Sequence, residues 1–150
     1  MLLLKNGNVM TMAGPAFVGD VAIENGKIVA VGQSLSYSDA EVRDVTGMTV
    51  MPGIVDPHCH IGMWEDAMGF EGADGNECTN PITPELRAID AINPYDRCFE
   101  EAVAGGVTTC VTGPGSANVI GGQFVAIKTY GDSVETVSYT HLRAHETDQY

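Results

Sequence analysis

The run Met51-Pro52-Gly53-Ile54-Val55-Asp56-Pro57-His58-Cys59-His60 restricts this chain more than any other stretch. Pro52-Gly53 punctuates its start, and Ile54-Val55 begin an apolar run of the kind that fills a buried strand. Along a strand, alternate side chains share a face. Asp56, His58 and His60 therefore point one way and Cys59 the other. Two imidazoles at i and i+2 can share one metal ion, because neutral His nitrogens suit zinc, iron, nickel and related ions. Asp56, one step back on that face, is placed to orient a ligand through a hydrogen bond. The residues alone leave a second reading open: a strand end carrying two solvated imidazoles.

The residues N-terminal to this run read as short β units. Leu2–Leu4, Asn6-Gly7 and Val9–Met12 predict a hairpin, as do Asp20–Glu24, Asn25-Gly26 and Lys27–Val31, since Asn-Gly favours a type I′ turn. Val42–Val45, Thr46-Gly47 and Met48–Met51 predict a third strand pair. On the C-terminal side, 61–93 is an irregular, glycine-rich and acidic stretch, long enough to be functional or mobile. Trp64 within it either faces a substrate or packs the loop. Thr83-Pro84 opens a helix to about Ala91, and Asn93-Pro94 opens a second to Ala104, stopped by Gly105-Gly106. Val107–Val111 is a β-branched strand, so strand, helix and strand make one βαβ unit. The loop Thr112–Asn118 can present backbone N–H groups to an anion, but it lacks the Lys and Ser/Thr of a nucleotide P-loop. Gln123–Thr129 reads as a further strand.

The Pro-Gly, the apolar strand and Asp-x-His-x-His taken together resemble the first barrel strand of the amidohydrolase superfamily, metal-dependent hydrolases built on a (β/α)8 barrel. Ala104–Val111 looks like the second strand of that barrel. The resemblance covers residues 1 to about 136. It implies an α/β fold: a small, sandwich-like β-sheet subdomain over 1–50, then the first part of a (β/α)8 TIM barrel over 51–136, incomplete. It gives His58 and His60 the role of metal ligands, with Asp56 supporting them, and a divalent metal as cofactor, zinc first, with iron, nickel or manganese as alternatives. It implies hydrolysis of non-peptide C–N bonds in cyclic amides or amidines, with the imidazolonepropionase-like branch the nearest in look. The further ligands and the catalytic acid belong to later strands, so the catalytic residues are not assigned in this chain. A carbamylated lysine that some of these enzymes carry lies on a later strand still, which argues against Lys128. The partners implied are a small-molecule substrate and, at full length, a second copy of the chain in a homo-oligomer.

Length sharpens the expectation. A barrel of this type takes about 250 residues, and this chain has 150, so a fragment without activity of its own is expected. The net charge of −13 argues against nucleic acid or an anionic membrane as partner. No apolar run is long enough to span a bilayer, and Met1–Leu4 lacks the form of an export signal. Cys59, Cys78, Cys98 and Cys110 show neither a C-x-x-C pair nor a disulfide framework, as expected of free thiols in the cytoplasm. Residues 137–150 break the pattern. Val137–Thr147 resembles the translation of a transposase adapter used in sequencing libraries, so a non-native tail packing on nothing is expected, with His141 and His145 outside the natural protein. Readings in other classes are a metal-free amidohydrolase-like assembly protein, a deacetylase or dipeptidase of the same superfamily, and a small β-sheet binding module.

Overall fold

The computed structural model describes residues 1–66 and 68–131, together with the backbone of 138–141. The chain divides after Pro52 into Met1–Pro52 and a second unit that starts at Gly53.

The first unit is a mixed five-stranded sheet: β1 (Leu2–Val9), β2 (Phe17–Glu24), β3 (Lys27–Gly32), β4 (Glu41–Asp44) and β5 (Thr49–Val50). Asn25-Gly26 forms the expected turn between β2 and β3, both residues having positive φ, +50° and +73°. Asn6-Gly7 does not turn the chain. Here Asn6 alone takes positive φ, and β1 runs on through a bulge against β2. The bulge is held from outside: the Asn6 N–H donates to Asp20 Oδ1 (2.9 Å) and its amide to Asp44 Oδ1 (3.2 Å). The third expected strand pair also resolves differently. β4 and β5 do not pair with each other; both lie parallel to β1, on either side of the bulge. Asp44 accepts from the backbone and hydroxyl of Thr46, and the resulting turn steps the chain past Asn6-Gly7. Leu3, Val9, Val21 and Ala22 are the buried apolar residues. Asp20 is buried among them, where burial acts to raise its pKa. The N–H groups of Asn6 and Leu35 and the charge of Lys5 outweigh that and hold it below the usual carboxylate value.

The second unit carries β6 (Ile54–Cys59), α1 (Ala88–Ala91), α2 (Arg97–Ala104), β7 (Val107–Thr112), β8 (Val125–Lys128) and β9 (Ser138–His141), with a short 3-10 turn at Gly69–Gly72. β6 and β7 are parallel, as expected of a βαβ unit. Gly53 is required where β6 begins, because a Cβ there would collide with the side chain of Thr108. Both helices start later than the sequence predicts. Thr83-Pro84 opens only a turn, Leu86 N–H to the Thr83 carbonyl, because residues 82–88 are drawn into extended bridges with Ile120 and Gln123. Asn93-Pro94 likewise makes a turn, Asn93 capping the N–H of Tyr95, and α2 begins behind Asp96. Gly105-Gly106 ends α2 as expected, with Gly106 at φ +83°. The core is Met63, Ala88, Ile92, Phe99, Val125 and Ile127. Ile54 and Val55, expected to be buried, are instead 46% and 59% exposed.

β8 is the strand expected near 123–129, but it runs antiparallel to β7. The segment joining them, 113–124, forms turns and bridges to Ile82 and Arg87 rather than the helix that usually carries a parallel crossover. The described residues therefore form a mixed α/β arrangement of small sheets, and barrel closure is not visible in them. The tail expectation needs correcting as well. Ser138–His141 adds as β9 to the open edge of β8, Val125 opposite His141, because an unpaired strand edge offers N–H and C=O groups to any extended segment. Residues 132–137 and 142–150, including His145, lie outside the described residues.

Candidate metal centre

His58 and His60 meet at the C-terminal end of β6. Their ring centroids are 5.3 Å apart and the rings nearly perpendicular, at 86°. Phe124, buried just before β8, lies against both, 5.2 Å from His58 and 6.4 Å from His60. His60 Nδ1 lies 2.7 Å from the carbonyl oxygen of Gly113. That bond needs the proton on Nδ1, which leaves the Nε2 lone pair as the atom for a metal. A carbonyl holding the far nitrogen of a ligating imidazole is the usual support of a histidine metal site. The donor chemistry thus fits a divalent ion held by two imidazoles.

Gly113 serves this corner twice. Besides accepting from His60, it has no side chain, and a Cβ would collide with three ring carbons of Phe124. Its N–H donates to the Cys59 carbonyl (3.2 Å) and that of Gly115 to the Gly75 carbonyl (2.6 Å). Those two N–H groups of the glycine-rich loop are therefore committed within the protein rather than turned toward an anion.

Asp56 sits on the same strand, and its Oδ1 accepts from the backbone N–H of His58 (3.1 Å). It fixes the chain where β6 departs from regular pairing, between Asp56 and Cys59. Pro57, which has no N–H to give a ladder, occupies that irregularity. Cys59 donates toward the Val111 carbonyl (3.6 Å). Its thiol is held down by a hydrogen bond from Cys110 on the adjacent strand, and the same bond together with burial pushes Cys110 up.

Among the described residues, no Cys, Asp or Glu completes a set of three with His58 and His60. Lys128 is at the other end of the sheet: it pairs with Thr109 near the start of β7, and its amine donates to the Thr109 hydroxyl (2.8 Å). Trp64 lies against Gly75, whose missing Cβ makes room for the indole, and stays 40% exposed. A cleft of about 330 Å3 beside it is lined by Asp74, Glu77, Glu85, Arg87 and Asp90, and neither histidine lines it. A separate group that the spacing did not reveal, Asp66, Asp96 and Cys98, gathers where α2 begins.

No family model matches the chain. Individual proteins do. The amidohydrolase tasK of Hapsidospora irregularis is 39% identical over 117 residues, covering 75% of this chain and 12% of that protein. A D-hydantoinase of Geobacillus stearothermophilus is 46% identical over 61 residues, and an allantoinase of Enterococcus faecalis 50% over 60, each match covering 13% of the relative. The chain thus spans about an eighth of the length of these curated relatives. Among solved structures, an amidohydrolase from Thermotoga maritima superposes with a TM-score of 0.84 at 44% identity, over 93% of this chain and 36% of its own. Shared sequence across most of this chain, and a shared backbone over nearly all of it, place the protein in the amidohydrolase superfamily, where it corresponds to the N-terminal part.

Proposed function

We propose that the complete protein is a metal-dependent hydrolase of non-peptide C–N bonds in cyclic amides, and that His58 and His60 are two of its metal ligands. The observation that carries the reading is the 2.7 Å contact of His60 Nδ1 with Gly113 O, which leaves Nε2 of a part-buried imidazole available beside a second imidazole. A divalent ion, zinc first, with iron, nickel or manganese as alternatives, would supply polarisation of the scissile carbonyl and a bound water of lowered pKa. In this chain His58 and His60 bind, the Gly113 carbonyl sets the ring and tautomer of His60, Asp56 holds the His58 backbone, and Phe124 shields one side of the pair from water. A catalytic zinc takes three protein ligands, so at least one more, and the acid that moves the proton, belong to later strands. The names of the relatives, a hydantoinase, an allantoinase and a dihydroorotase, support cyclic amides as the substrate class. Free thiols support a reducing compartment, the cytoplasm, and a homo-oligomer is the assembly we expect.

The test is to assay full-length protein, stripped and then reloaded with metal, on hydantoin, allantoin and dihydroorotate. We expect ring opening of at least one, lost on chelation and in His58→Ala and His60→Ala. Normal metal content and turnover in both variants would sink the assignment.

A further inference from the structure

Asp96 occupies the N-cap of α2, where a carboxylate ordinarily accepts from the N–H groups of the first turn. It makes no such bond. The residue is only 7% exposed, and its Oδ2 is buried with no hydrogen-bond partner. A carboxylate oxygen taken from water and given no donor is a standing cost to the fold. The Cys98 thiol, hydrogen-bonded to the Asp96 carboxylate, and Asp66 stand close by. One carboxylate oxygen of Asp66, one of Asp96 and the Sγ of Cys98 all lie within 4.8 Å of one another. Arg97, next in sequence to Asp96, is engaged with Glu101. Burial, opposed by the Gly62 N–H and reinforced by Asp96 and Asp66, pushes the Cys98 thiol up to about 12. The thiol therefore keeps its proton as long as no cation joins the group.

The three residues come from two segments held together by other bonds. Asp66 lies beyond β6, whereas Asp96 and Cys98 open α2. The Asn93 N–H donates to the Gly62 carbonyl (2.9 Å), and a Cβ on Gly62 would press on Phe99 and Ile92 at 2.9–3.0 Å. The approach of the two segments is thus set by backbone and core packing, not by the acidic residues themselves, which repel.

We propose that Asp66, Asp96 and Cys98 bind a divalent cation of zinc type, at a site distinct from His58 and His60. A thiolate with two carboxylates suits zinc, and a water can take the fourth position. On binding, the Cys98 S–H bond breaks, its proton passes to solvent, and the sulfur pair forms the metal bond. The local charge changes from two carboxylates facing each other to three anionic ligands sharing one dication, and the buried carboxylate of Asp96 gains a partner. The ion would fasten the segment that leaves the histidine strand to the first turn of α2.

Cobalt(II) titration of metal-stripped full-length protein tests this, because thiolate ligation gives a sulfur-to-cobalt charge-transfer band that imidazole and carboxylate ligands do not. The band should appear in the wild type and persist in the His58→Ala/His60→Ala double variant. It should vanish in Cys98→Ser. Asp66→Asn, a change at an exposed residue that leaves the core alone, should weaken the cobalt affinity that the band reports by at least ~10-fold, the low end of what even an outer partner of a ligand costs. No band in the wild type at saturating cobalt, a band that survives Cys98→Ser, or an unchanged affinity in Asp66→Asn would each overturn the proposal.

Discussion

Asp20 shows what one buried carboxylate does for the first sheet. It caps the N–H of Asn6 and of Leu35 and pairs with Lys5 at 3.6 Å. Its pKa is held below the ordinary 3.8, so the sign is settled: its contribution is fully present above that value and is lost as pH falls through the lower folded one. Asp20→Ala should cost about 1–3 kcal/mol at neutral pH by orphaning two N–H groups, and should flatten the acid limb of a stability–pH curve; an unchanged acid limb would show that the carboxylate is not coupled to folding. At the proposed metal centre, Asp56→Asn should weaken metal binding roughly 10–100-fold, well short of the loss in either histidine variant, as equilibrium dialysis would measure. Cys59→Ala should leave metal bound and cost about 1 kcal/mol of stability; metal lost with stability intact would place the thiol on the ligand side. The closeness of the two histidines could be read in the sequence from their i, i+2 spacing at a strand end. The support of His60 could not, since Gly113 is 53 positions away and arrives through the pairing of β6 with β7.

Among the elements, the corner where β7 passes into the loop before β8 has no tolerance for a side chain. Gly113→Ala should push Phe124 off the two imidazoles, costing about 1–3 kcal/mol as overpacking does and lowering metal affinity in the same variant; a crystal structure with Phe124 unmoved would refute this. The strands and the βαβ order were legible from apolar period and glycine punctuation. The turns were legible only where local chemistry decides. Asn25-Gly26 and Asn6-Gly7 are the same dipeptide, yet the first turns the chain and the second bulges it. The difference lies in Asp20 and Asp44, which bond Asn6 from 14 and 38 positions away. The late starts of α1 and α2 have the same origin, for bridges to Ile120 and Gln123 and the Asn93 turn take the backbone groups a helix would use.

For the molecule as a whole, apolar strand faces remain open. Ile54 and Val55 on β6 and Ile28, Val29 and Val42 in the first sheet are all more than two-fifths exposed, and exposed strands of this kind invite association. Residues 1–150 expressed alone should therefore scatter light at micromolar concentration and melt without a sharp transition; a stable monomer with a cooperative melt would count against that. The way β1 is flanked also sets an order of events during synthesis. Its first partner, β2, with β3 beyond it, is complete by Gly32, but its other side is filled only by Glu41–Asp44 and Thr49–Val50. On a ribosome adding about 5–20 residues per second, the nascent sheet waits on the order of 1–4 seconds with that side bare. Chains released at Tyr37 should clump faster than chains released at Pro52, and the short strands that close the gap act as a built-in guard for a newborn strand.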